Sequence, residues 1–85
     1  MATYRILYWQ DIPSQVQASD GFDEVTVPLA PRFMERIDQM AARHGLQASD
    51  DYLAAWRWSD EAERAGTPQE VADAVRAELE ARQTW

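Results

Sequence analysis

The 85-residue chain carries eight Lys plus Arg against fifteen Asp plus Glu, for a formal net charge of −7, with one His and no Cys. Disulfides, thiolate catalysis and thiolate metal sites are thereby excluded, and a single imidazole is too few for a His-rich zinc site. Excess negative charge repels phosphate backbones, so nucleic-acid binding has no electrostatic support, whereas solubility or a basic protein partner suits it.

A chain of this length is one domain, residues 1–85, burying roughly 60–65% of the surface its unfolded form exposes. Four Trp, three Tyr and two Phe enlarge the core, each aromatic ring covering on the order of 150–250 Å². No apolar run approaches the roughly 20 residues a bilayer span needs, and no signal-peptide pattern opens the chain. The expected compartment is the cytoplasm, with no membrane contact.

In chain order, Tyr4–Pro13 is the most apolar and aromatic run, and Pro13 gives it an end. Tyr4, Ile6 and Tyr8 fall on one side of a period-two strand, with Arg5, Leu7 and Trp9 on the other, so it wants cover on both sides. Asp11-Ile12-Pro13-Ser14 reads as a turn, followed by a second strand around Gln15–Ala18. Asp20-Gly21 has the composition of a type I′ hairpin turn, and a half-buried third strand runs from Phe22 to Pro28 with Val25, Val27 and Leu29 on one face.

A helix begins at Ala30-Pro31, with Phe33, Ile37, Met40, Ala41 and His44 as its apolar stripe. Gly45 closes it as a left-handed cap with Leu46 beside it, and Ser49 caps the next helix. Tyr52, Leu53, Ala55 and Trp56 give that helix a buried face; it frays after Arg57-Trp58 or extends through Asp60–Arg64. Thr67-Pro68-Gln69-Glu70 is a capping box opening a last helix on Val71, Ala74, Val75 and Leu79, with a Glu78–Arg82 pair on its surface. The predicted fold is α+β: a small three-stranded antiparallel meander followed by three α-helices packed on one face. Successive turns put the second strand in the middle, yet the first is the more apolar. Either the strand order is not 1-2-3 or another chain covers the first strand, which leaves a homodimer open.

The segment Tyr8-Trp9-Gln10-Asp11-Ile12-Pro13-Ser14-Gln15-Val16 resembles the start of a small bacterial family labelled virulence factor. That family also forms the C-terminal domain of larger conserved virulence factors, joined to helical repeats. The Leu29–Ala42 helix, Asp51–Arg57 and Glu70–Val75 fit the same pattern, so the resemblance covers nearly the whole chain. It implies a protein-interaction or accessory role and carries no catalytic residues.

The residues themselves agree. His44 suits a helix C-terminus better than catalysis, and Asp50-Asp51 follow the Ser49 cap. Asp11, between Trp9 and Pro13, can act as an acid or base if desolvated, or bond backbone within its turn. Trp58 lies two residues beyond Trp56 and faces away from it, and an exposed Trp beside Arg57 has the composition of an interface hot spot. Expected binding residues are therefore Trp9, Asp11, Arg57 and Trp58, with no catalytic group, metal or cofactor. The function expected is a non-enzymatic protein-interaction or accessory domain with an unidentified protein partner. The alternative is a small enzyme, or a subunit completing the active site of a multi-component metabolic enzyme, with Asp11 at its centre.

Overall fold

The computed structural model describes residues 1–45 and 50–83. Along the chain run β1 (Ala2–Trp9), β2 (Ile12–Ser19), β3 (Glu24–Pro28), α1 (Pro31–Arg43), α2 (Asp50–Ala54), β4 (Trp56–Trp58), β5 (Ala62–Arg64) and α3 (Pro68–Arg82). The α+β class, the antiparallel sheet and the presence of three helices are as expected, but the sheet has five strands rather than three, and β4 and β5 fall between α2 and α3. The helices do not all pack on one face, since Tyr52 of α2 lies against Trp9 on the side of β1 opposite Ile6. Strand order is β3-β2-β1-β4, with β5 pairing the same edge of β1 as β4 does.

This order places β1 inside the sheet, with neither of its edges left open. One edge pairs with β2, and the other with β4 at Leu7–Trp9 and with β5 at Ala2–Tyr4. The cover is supplied by the chain itself. Between β4 and β5 the ladder is carried by Ser59: its N–H donates to Ile6 O at 2.8 Å, and its Oγ accepts the Ile6 N–H at 2.8 Å. The helix expected over Trp56–Trp58, and its extension through Asp60–Arg64, are corrected to these two short strands.

β2 starts earlier than expected, at Ile12, and Pro13 lies within it rather than ending the preceding strand. The register passes from Leu7↔Gln15 to Tyr8↔Pro13, leaving Ser14 as a bulge. A bulge tolerates the missing proline N–H, and it also reverses which side of the strand a given parity faces. Ile12 thus shares a side with Trp9, while Val16 and Ala18 share the opposite side with Ile6 and Tyr4. Ser14 is buried yet satisfied, its Oγ donating to Leu7 O at 3.1 Å and its carbonyl accepting the Leu29 N–H.

The β2–β3 connection spans residues 20–23 rather than a two-residue type I′ turn. Gly21 takes φ 92°, which a side chain would oppose. Phe22, expected in the third strand, stands in this turn 95% exposed.

Val71, Ala72, Val75 and Leu79 of α3 are buried, and the helix packs across β1, β2 and β3. Its capping box is present in both directions, Glu70 N–H to Thr67 Oγ1 and Thr67 N–H to Glu70 Oε1. α1 buries Phe33, Ile37 and Ala41 and packs against β2. His44 is exposed at the C-cap of α1, the terminal position expected for it, whereas Leu53, expected inside, is 66% exposed. α1 and α3 lock where they meet: Arg32 donates to Glu80 O and Gln83 O at 2.9 Å, and Ala30 N–H donates to Glu80 Oε2 at 3.0 Å. Glu78 pairs at 2.6 Å with Arg64 of β5, rather than chiefly with Arg82. The buried side chains form one cluster running from Ala2 to Leu79. The contact expected at Leu46, the cap at Ser49 and the terminal Trp85 lie outside the described residues.

Candidate functional site

β4 is three residues long, so each side chain in it has one assignment. Trp56 and Trp58 point to one side of the sheet and Arg57 to the other. Arg57 pairs with Tyr8; its Cζ lies 5.1 Å from the Tyr8 ring centroid, and its Nε donates to Gln10 O at 3.1 Å. Gln10 has φ 55°, an unusual value for a side-chain-bearing residue. It is held from two directions, since its N–H also donates to Ala55 O at 2.9 Å. The β1–β2 turn is thus clamped by β4 and by Ala55, which joins α2 to it.

On the other side of the sheet, Arg5 Cζ sits 4.0 Å from the Trp58 ring centroid. Arg5 Nε donates to Gln17 Oε1 at 2.8 Å, and Gln17 Nε2 donates to Glu24 Oε1 at 3.1 Å. Trp58, Arg5, Gln17 and Glu24 therefore form one row crossing β4, β1, β2 and β3 in sheet order. Beside this row lies an open groove of about 510 Å³, with Thr3, Arg5, Gln17, Ser19 and Glu61 in its lining. Trp58 remains 37% exposed, so the stack with Arg5 stands at the surface.

The four expected binding residues separate. Arg57 and Trp58 are exposed neighbours on β4. Asp11 is exposed at the tip of the β1–β2 turn, and its carboxylate makes no hydrogen bond among the described residues. Trp9 presents no surface at all: it is 0% exposed, its Nε1–H donates to Tyr52 O at 3.0 Å, and its ring lies 5.7 Å from that of Tyr52. Tyr52 in turn meets Trp56 edge-on at 6.2 Å. Register puts Trp9 and Trp58 on the same side of the sheet, yet α2 covers only the Trp9 end.

Arg5, Gln17 and Glu24 were not expected in the site. The available signal was parity, because Arg5, Leu7 and Trp9 share a side of the first strand. That signal becomes informative only once β4 is known to bring Trp58 beside them.

Chemically the row is a planar guanidinium fixed between an indole and an amide. Among the described residues no three His, Cys, Asp or Glu converge as metal ligands. The carboxyls held below their ordinary values are all on the surface. Asp20 is lowered first by the Asp23 and Phe22 backbone N–H groups, Glu70 by the Thr67 N–H, and Glu78 by its bond to Arg64. Each of these shifts reports a turn, a cap or an ion pair, none of them at the row. Among the described residues no helix is long and apolar enough to cross a membrane.

Neither the curated proteins nor the solved structures contain a match to this chain. A family model described as virulence factor matches residues 7–84, from the middle of β1 past the end of α3. The match takes in both short strands, the clamped β1–β2 turn and all three helices, as the blocks around Trp9, Phe33, Trp56 and Val71 lead one to expect, and the chain belongs to the virulence factor family.

Proposed function

We propose that the domain is a non-enzymatic protein-interaction or accessory module whose contact surface is the Trp58–Arg5 face of the sheet, with Arg57 at its edge. One observation carries the reading: a tryptophan 37% exposed and stacked 4.0 Å from a guanidinium, on the part of the sheet face beyond the end that α2 covers. Trp and Arg dominate interface hot spots, and an Arg immobilised before binding loses little further entropy on contact. Among the described residues Arg5 engages Gln17 through Nε only, which leaves its terminal nitrogens to carbonyl or carboxylate oxygens of a partner. The family name associates the domain with virulence in bacteria, and such an association fits an adaptor as readily as any other class.

Site-specific photo-crosslinking in the native cell tests this. A benzophenone amino acid at position 58 is expected to give a discrete adduct that the same group at the exposed Asp73 of α3 does not. Arg5→Ala should lower the yield of that adduct by about tenfold, the weakening expected from losing one hot-spot contact. Equal labelling from positions 58 and 73, or none from position 58, rejects the proposal.

A further inference from the structure

The β2–β3 turn holds a second surface feature, at the end of the Trp58–Arg5 row where Glu24 belongs to both. Phe22 is 95% exposed, the most exposed large apolar side chain among the described residues. Such exposure in a loose loop would mean little, but this turn is clamped. Asp20 Oδ1 accepts from Phe22 N–H at 2.9 Å and from Asp23 N–H at 2.8 Å. Ser19 Oγ accepts the Gly21 N–H at 3.2 Å, and Asp20 N–H donates to Asp23 O at 3.2 Å.

The turn needs the carboxylate of residue 20 and the positive φ of residue 21. From residue 22 it needs only a backbone N–H, which any residue except proline supplies. A phenyl ring at that position costs solubility and returns nothing to the fold. Its surroundings are acidic: Asp20 and Asp23 flank it in the turn, and Glu24 opens β3. Two copies of this chain meeting ring to ring would bring these carboxylates together, on molecules that already carry −7 each.

We infer that Phe22 is a preorganised anchor that inserts into an apolar pocket of a different protein, a pocket rimmed by Lys or Arg that meets Asp20, Asp23 and Glu24. Four hydrogen bonds hold the turn backbone before contact, so little backbone ordering entropy is lost when the ring docks. A central aromatic ringed by charge is the arrangement in which rim electrostatics set specificity and association rate. This inference rests on the protein-interaction reading above and adds the chemistry of the partner.

The test is crosslinking from a benzophenone amino acid at position 22 of the full chain in its native cell, with a parallel probe at position 58. The expected result is one heteromeric adduct from position 22. Its crosslinked peptide, identified by mass spectrometry, should carry apolar residues with neighbouring Lys or Arg. Its yield should fall about tenfold in Asp23→Arg, the sign and scale of reversed rim charge. Asp23 is exposed and lies outside the Trp58–Arg5 row, and an unchanged melting curve verifies the fold. An adduct between two copies of the chain overturns the inference, as does an adduct indifferent to charge reversal. If position 58 finds a partner and position 22 does not, this inference fails and the broader reading stands; if neither does, both fail.

Discussion

Ser59 stands where a continuous strand would place a carbonyl, and its hydroxyl takes over that carbonyl's task by accepting the Ile6 N–H at 2.8 Å. Ile6 is only 9% exposed, so in Ser59→Ala its N–H is left unsatisfied. The expected loss is about 1–3 kcal/mol, a large share of the roughly 5–15 kcal/mol that holds a domain together. Urea unfolding would measure it, and amide exchange at Ile6 should accelerate more than exchange elsewhere in β1; equal acceleration everywhere would count against a local cause. Trp9→Phe makes the parallel case for an indole. A phenyl ring is kept, but the Nε1–H to Tyr52 O is lost and the missing second ring leaves a cavity at a fully buried site, so stability should fall by about 2–4 kcal/mol with any partner contact untouched. The sequence makes Trp9 and Trp58 look alike, aromatic residues beside Gln or Arg, and even their side of the sheet is the same. What separates them is Tyr52, whose ring covers one and not the other. Period and composition hold no information about that cover, so the expected site mixed a core residue with surface ones.

At the level of elements, legibility followed length and local chemistry. α3 was readable to its first residue because Thr67, Pro68 and Glu70 act within one turn and need nothing distant. α1 was readable from its Phe33–Ile37–Ala41 stripe. β4 and β5 have three residues each, too few for a period to declare itself, and a five-residue α2 runs almost directly into β4. The one available clue was the Trp56/Trp58 spacing, which is period two and awkward on a helix. Because the α3 box is local, its contribution can be isolated: Thr67→Ala should cost about 1 kcal/mol, the usual loss for a side-chain N-cap. The box also makes a pH prediction. Glu70 is held below its ordinary value, first by the Thr67 N–H and then by the Thr67 side chain. A depressed folded-state carboxyl contributes stability that is fully present above its unfolded value and lost as pH falls through its folded one. Asp20 and Glu78 are shifted in the same direction. The melting temperature should therefore be flat near neutrality and decline progressively below about pH 5. In Glu70→Gln the decline should be shallower, because one of the three depressed carboxyls is gone; parallel curves for the two proteins would show that the cap does not depress the Glu70 carboxyl.

For the whole molecule, the arrangement of edges decides what the chain does alone. The sequence left β1 uncovered and so left a homodimer open; in the structure both edges of β1 are paired within the chain. The remaining edges suit self-association poorly. On one side, β4 and β5 are interrupted at Ser59, and a broken three-plus-three edge offers no long template for another strand. On the other, β3 ends in Pro28, which cannot donate, and begins at Glu24, whose carboxylate is already joined to Gln17. Charge repulsion at −7 acts in the same direction, but it is screened beyond a Debye length of about 3 Å at 1 M salt, whereas a blocked edge is not. Light scattering at high protein concentration separates the two effects. If strand geometry governs, the mass of a single 85-residue chain should be found at both low and 1 M salt. A dimer appearing only at 1 M salt would mean that charge alone keeps the copies apart. A dimer at both would mean that an edge, or the Trp58–Arg5 face, is satisfied by a second copy, and the search for a different partner on that face would lose its reason.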